Sequence, residues 1–413
     1  MVRRSHRTRG FTMLEMLVAS ALSGIAIAAA FTFATFQVKS FSAAQDVQVV
    51  AASTRTFEDT IGADIRSAGY GTTFWAGESH VSFGGRGVSI DTGGQPLGVA
   101  AVRLVDGVTN PLGAAGLGVM PGSDAISILR VESVSTNLPS NGPGTGGIAD
   151  APYALGAAPL TVVDTTVLGA CAQVPNGSRL VLISDMVRSG EPASMLQQIA
   201  TPLVPGQITF VFGNYGINPA SAPGAGGVMP APRLFGPGSL VTCVRLVTYW
   251  VDNIGRLRMF QSRPDNAVTA AGSAGLVGAW PGGVALPINP ATDAVIADGV
   301  ADLQIALFMS NMSPVMPGAW AFGDPGTGSL PLGIEQHMAE TRAVRITAML
   351  STPRARDVSN VVPIVQVENN AFLPNPTFIY RQISTVAEMR NLRIYDLMSS
   401  NTRLWNQVRS FPP

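Results

Sequence analysis

Gly10-Phe11-Thr12-Met13-Leu14-Glu15 opens an apolar run, FTMLEMLVASALSGIAIAAAFTFATF, that ends at Phe36. As a helix rising about 1.5 Å per residue it would reach roughly 39 Å, enough for a hydrocarbon core of ~30 Å. The ten residues ahead of it, MVRRSHRTRG, hold four arginines and no acid, a charge pattern that stays on the cytoplasmic side of a membrane. An ordinary secretory signal peptide shares the basic head and apolar core, and Ala26-Ile27-Ala28 and Ala28-Ala29-Ala30 would suit its peptidase. Two features oppose that reading. The run continues past Ala30, and it carries Glu15, a carboxylate whose burial in lipid costs ~2.5 kcal/mol or more. Arg3-Arg4 is not followed directly by an apolar pair, so a twin-arginine signal is set aside.

These residues together resemble the type IV prepilin cleavage motif: a short basic leader ending in Gly, an aromatic as first mature residue, and Glu as the fifth. The resemblance implies cleavage between Gly10 and Phe11 by a membrane aspartyl prepilin peptidase, followed by N-methylation of Phe11. Gly10 puts no side chain beside the scissile bond. Cleavage would leave a positive amine on Phe11, four residues from Glu15. One helical turn separates them, so the two can pair within a chain or between subunits. In a low-dielectric bundle a paired carboxylate is penalised far less than an unpaired one, which gives subunit register a physical basis.

The helical pattern runs on. No Gly or Pro falls between Gly24 and Gly62, and Val47, Val50, Thr54, Phe57, Ile61, Ile65 and Ala68 form a stripe at spacings of three and four. Gln45, Gln48, Arg55, Asp59, Asp64 and Arg66 are assigned to the opposite, polar face. Gly69 is placed to cap the helix. The expectation is one stalk from Phe11 to Ala68, with two helices meeting near Gln37–Ser42 as the alternative. Ala63-Asp64-Ile65-Arg66-Ser67-Ala68-Gly69-Tyr70 is similar to the segment ending the long helix in the prepilin W family of minor pilins. Val247–Val251 with Gly255–Arg258, Ala297–Ile305, Thr341–Ile346 and Thr385–Leu392 resemble later segments of that family.

After Tyr70 the chain reads as strands rich in β-branched residues: Val99–Val105, Ala125–Val131, Arg179–Ser184, Gln207–Phe212, Leu240–Val251, Arg256–Phe260, Leu303–Met309, Val344–Leu350, Val361–Val367 and Phe378–Val386. Asn253-Ile254-Gly255 reads as a hairpin turn. Gly/Pro/Ala-rich stretches at 136–159, 213–238, 264–290 and 313–333 read as long loops. The expected fold is therefore α+β, a long N-terminal helix packed on a large antiparallel β-rich domain. Its expected parts are a leader (1–10), a transmembrane or filament-core helix (11–36), an amphipathic continuation (37–69) and a globular domain (70–413) that divides near 240.

Function classes narrow by exclusion. Lys+Arg and Asp+Glu each total 26, so no cationic excess is available for nucleic acid. Two cysteines and three histidines leave no thiolate-zinc or histidine-metal signature. There is no Gly-x-Ser-x-Gly elbow or His-Glu-x-x-His helix. The glycine-rich Gly144–Gly147 and Gly224–Gly227 lack a following Lys-Ser/Thr, and Glu78 with His80 is at most half a metal site. Met309, Met312 and Met316 read as packing, and the arginines from Arg381 to Arg409 as a solvated or partner-facing surface. The expectation is a non-enzymatic protein without cofactor or metal. Cys171 and Cys243 lie in the part expected to be exported, and a bond between them would close a 72-residue loop. In a chain-entropy account that is worth ~4 kcal/mol. Two buried thiols are the alternative, and an oxidising compartment favours the bond.

The family resemblance implies a minor pilin that primes a type IV pilus and sits at or near its tip. Its partners would be prepilin peptidase, other minor pilins, the major pilin, a tip adhesin and the inner-membrane assembly platform. Before assembly it would lie in the inner membrane with the body periplasmic. A type II secretion pseudopilin shares the same motif and stalk, and a surface adhesive β-protein released by ordinary signal peptidase is the remaining alternative.

Overall fold

A computed structural model of the chain describes residues 11–68, 102–105, 120–132, 136–137, 153–154, 159–172, 180–185, 193–200, 202–211, 234–235, 239–261, 275–276, 286–287, 293–309, 320–321, 341–352, 366–368, 370–372, 375, 378 and 380–389. The fold is α+β. One helix, α1, runs unbroken from Met13 to Ser67, so the two-helix alternative does not hold. Its 55 residues rise roughly 82 Å. The chain forms two compact units, Met1–Ala52 and Ser53–Pro413.

In the first unit the large apolar residues of α1 from Met13 to Val38 are exposed, Met13 at 86% and Val38 at 69%, whereas Val50 of the stripe is buried. Val47, assigned to the buried stripe, is exposed as well. In the second unit the stripe behaves as expected, with Phe57, Ile61, Ile65 and Ala68 fully buried. Asp64 departs from its assignment to the polar face, because it too is buried. Positions 61, 64, 65 and 68 have the spacing of a single face, so the helix geometry placed it there.

Ten strands of four or more residues occur among the described residues: β1 (Val102–Val105), β2 (Ala125–Val131), β3 (Leu180–Asp185), β4 (Ala193–Ile199), β5 (Leu240–Val251), β6 (Arg256–Gln261), β7 (Ala294–Asp298), β8 (Val300–Met309), β9 (Thr341–Ser351) and β10 (Tyr380–Glu388). All their pairings are antiparallel. The sequence reading missed β4 and β7. ASMLQQI carries a single β-branched residue and AVIAD is only five residues long, so the signal for either was weak.

β5 is the spine of the first sheet. One of its edges pairs with Thr136–Asn137 and then β2, the other with β3 and then β6, while β1, β4 and β7 extend the sheet outward. Strands from both sides of residue 240 thus share one sheet, and a division near 240 would cut it. The change of sheet falls instead at Gly299, between β7 and β8. β8, β9 and β10 form the second sheet, with Trp320–Ala321 on the far edge of β8.

Each of the four stretches read as loops contains paired residues: Thr136–Asn137 on β5, Tyr153–Ala154 with Leu234–Phe235, Gly275–Leu276 with Leu286–Pro287, and Trp320–Ala321 on β8. Pairs this short leave no alternating pattern to read. The expected strand Val361–Val367 is described only at Gln366–Val367.

The β5–β6 hairpin turns where expected, and Gly255 there has φ +80°. Asp252 accepts hydrogen bonds from the backbone N–H groups of Ile254 and Arg256 and from the Nε–H groups of Arg256 and Arg258. Gly299, with φ +77°, lets the two sheets meet: a Cβ there would lie 2.8 Å from the Ser351 carbonyl oxygen. Asp124 joins the sheets directly. Its N–H donates to Leu303 O and its Oδ2 accepts from Ile305 N–H, each at 2.7 Å.

Candidate functional site

Gly10 lies outside the described residues, as do Gly69, Glu78, His80, Met312, Met316, the two glycine-rich stretches and the arginines after Arg381. Phe11 and Thr12 precede the helix, and Phe11 is 80% exposed. Thr12 then caps α1. Its Oγ1 accepts from the Glu15 N–H at 3.2 Å, while Glu15 Oε2 accepts from both the N–H and the hydroxyl of Thr12 at 2.9 Å. This is a reciprocal capping box, which satisfies two donors that a helix start otherwise leaves open.

The sequence reading gave Glu15 one partner, the Phe11 amine, and missed Thr12. The signal was present, since Thr-x-x-Glu ahead of an apolar run is the capping-box pattern. Removing residues 1–10 would leave the Thr12 N–H and hydroxyl in place. The cap and a free Phe11 amine can therefore serve Glu15 together, because a carboxylate has about four acceptor sites.

A second carboxylate on α1 has very different partners. Asp64 Oδ1 accepts from Arg130 of β2 at 2.9 Å, and Oδ2 accepts from the Tyr249 hydroxyl of β5 at 2.7 Å. Tyr249 is fully buried. Burial, reinforced by Asp64, pushes its phenol well above the ordinary value. Burial opposes the charge on Arg130, but the hydrogen bond and charge of Asp64 outweigh it and raise its pKa. Neither group gives up its proton near neutral pH, so the arrangement holds rather than reacts. The end of the helix adds a backbone bridge between Ala68 and Arg130.

Cys171, in the short helix Gly169–Ala172, and Cys243, on β5, are fully buried and joined as a disulfide, with Cα atoms 5.7 Å apart. They lie in one apolar cluster with Leu160, Leu168, Val181, Ile183 and Val241. Met309 is buried in the core.

Residues 5–31 match the family model described as the prokaryotic N-terminal methylation motif. Among solved structures, a type IV-like pilin from Thermus thermophilus is similar at 14% identity and a TM-score of 0.20, covering 55% of this chain and 92% of that one. No curated protein matches the chain. At its N-terminus, the region that holds Phe11, Thr12 and Glu15, the chain is type IV prepilin-like.

Proposed function

We propose that this protein is a minor type IV pilin, a structural subunit that primes pilus assembly and sits at or near the tip. The observation that carries the reading is the methylation motif at the head of a long helix whose apolar residues are exposed. Such a surface needs lipid or other helices around it. Prepilin peptidase would cut between Gly10 and Phe11 and methylate the new amine. Glu15 would then meet that positive group, its own or a neighbour's, as the helix leaves the membrane for the filament core.

The minor role rests on bulk and on the stalk sequence. A body spread over two sheets would crowd lateral neighbours in a helical shaft, whereas a tip position leaves its top open. Gly24 falls where major pilins commonly loosen the stalk helix, but Thr32 stands where they commonly have proline. Thr32 keeps its N–H for the helix and donates its hydroxyl to Ala28 O. The other minor pilins, the major pilin, a tip adhesin and the inner-membrane platform are the partners this role requires, and an oxidising compartment suits the Cys171–Cys243 bond.

Intact-mass and N-terminal analysis of membrane protein from cells with active prepilin peptidase tests the reading. The expected chain begins at N-methylated Phe11, and Gly10→Arg should leave the uncut precursor. A wild-type chain that keeps residues 1–10 would exclude prepilin processing. Antibody to the body should mark filament ends in ones and twos, and labelling along the shaft would exclude the tip position.

A further inference from the structure

An outer strand leaves one row of backbone N–H and C=O groups unpaired and invites another chain, so folded proteins keep such strands short or interrupt them. β1 has four residues, β7 has five with a register shift against β6, and Phe210–Val211 and Trp320–Ala321 have two each. β10 breaks that rule. Its nine residues, YRQISTVAE, pair with β9 in unbroken register and include no Pro, Gly or Lys. Among the described residues no strand pairs with its other edge. The register shows which groups face that edge. Ala343 lies opposite Glu388, and the Met389 N–H donates to Arg342 O at 2.9 Å. Direction alternates along an antiparallel strand, so residues 381, 383, 385, 387 and 389 turn their backbone groups to β9, and Gln382, Ser384, Val386 and Glu388 turn theirs outward. These four are exposed, Val386 at 53%, whereas Ile383 and Ala387 are buried. Arg381, at the start of the strand, is exposed, and its side chain has no bonding partner among the described residues.

Charge decides what fits this edge. A second β10 laid antiparallel on it would match outward residues with outward ones, hence even positions with even and odd with odd. Arg381 would then face Arg381, Ile383, Thr385, Ala387 or Met389 of the copy, and never Glu388. A carboxylate opposite Arg381 has to come from another sequence. We propose that β10 is a docking edge for an extended segment of a different protein, which adds antiparallel as a further strand. That segment sets apolar side chains beside Ile383 and Ala387, uncharged ones beside Gln382, Ser384 and Val386, and an acid opposite Arg381. The surface stands whether or not the chain is a pilin.

Full-length protein in detergent micelles and a capped, dye-labelled peptide, Lys-Val-Thr-Val-Thr-Val-Thr-Asp, test it by fluorescence anisotropy. In antiparallel register the peptide's Asp falls opposite Arg381 and its valines fall on the side of Ile383 and Ala387. A peptide ending in Lys instead should bind about fivefold more weakly, and Arg381→Glu should reverse that preference. Val386→Pro removes an outward N–H and no bond to β9, so the melting midpoint should hold while peptide binding weakens at least about tenfold. Absence of saturation by the Asp peptide up to ~1 mM overturns the proposal. Binding that ignores the charge swap, or that survives Val386→Pro, overturns it as well. Wild-type dimers that Val386→Pro separates would also overturn it, because a second copy would then hold the edge.

Discussion

Two stretches of one helix share a backbone and meet opposite surroundings. From Met13 to Val38 the large apolar side chains of α1 are half exposed or more, while Phe57, Ile61 and Ile65 are fully buried against the strands of the second unit. Each stretch carries one bonded carboxylate. Glu15 is held by Thr12, three residues away, whereas Asp64 is held by Arg130 and Tyr249, 66 and 185 residues away. The lesson is that continuous helix says nothing about what surrounds it. The first stretch makes its hydrogen bonds locally yet leaves its apolar surface open, at about 1.5–3 kcal/mol for each large side chain kept in water. The second is a wall of the β core.

The largest test of that contrast is a pair of truncations. Phe57→Ala removes a ring from a closed core and should cost about 3–5 kcal/mol in unfolding of the body, read as a thermal midpoint in detergent. Phe36→Ala, on the open stretch, should leave that midpoint unchanged. Equal losses would mean that both stretches pack into the same core, and the contrast would fall.

The carboxylates give the next test. Asp64→Ala leaves Tyr249 without its acceptor and Arg130 without its counter-charge. The expected loss is about 3 kcal/mol, the low end for a broken buried pair because Arg130 is 31% exposed. Tyr249→Phe removes one hydrogen bond to a charged acceptor and should cost about 1.5–3 kcal/mol. Combined, the two should cost less than their sum, since they act on one contact. Strict additivity in a double-mutant cycle would show that the hydroxyl and the carboxylate do not work together.

The helix, the hairpin at Gly255 and several long strands were legible because each has a strong local signature. Ala125–Val131 and Leu240–Val251 were bounded as the structure has them, by runs of β-branched residues. Asp64 was misplaced because a charged residue was sorted by chemistry, although its position falls on the buried face. Arg130 and Tyr249 were invisible as its partners, since no local pattern links residues so distant in sequence. The two-sheet division at Gly299 was missed for a similar reason. A glycine at positive φ looks like any loop residue until Ser351 is seen against it.

A third carboxylate sharpens the contrast between charged and neutral partners. Asp302 opens the second sheet and accepts, on one oxygen, from the Ser123 hydroxyl, the Leu303 N–H and the Gln304 amide. Burial outweighs these neutral donors and holds its pKa above the ordinary 3.8. The folded protein therefore binds that proton more tightly than the unfolded chain. The resulting stabilisation is complete below about 3.8 and is lost as pH rises through the folded value. Asp302→Asn keeps the accepting oxygen and removes the titration. Its melting temperature relative to wild type should rise from pH 4 to pH 7, and a constant difference across that range would refute the assignment.

The smallest effect sits at the start of α1, where the contrast can be probed without touching any packed surface. Thr12→Val keeps the side-chain shape and the backbone N–H that Glu15 accepts, but deletes the oxygen that bonds the Glu15 N–H and the hydroxyl that bonds its carboxylate. Losing an N-cap of this kind costs about 1 kcal/mol of helix stability, locally and not in the body. Amide exchange at Glu15 in micelles should therefore speed by roughly fivefold, while exchange at Ile61 and the thermal midpoint stay as in wild type. Because Thr12 is the second residue after the proposed cut, cleavage itself should proceed. Unchanged exchange at Glu15 would show that the cap does not hold the helix start. A fall in the body's midpoint would show that the open stretch and the packed one are not energetically separate.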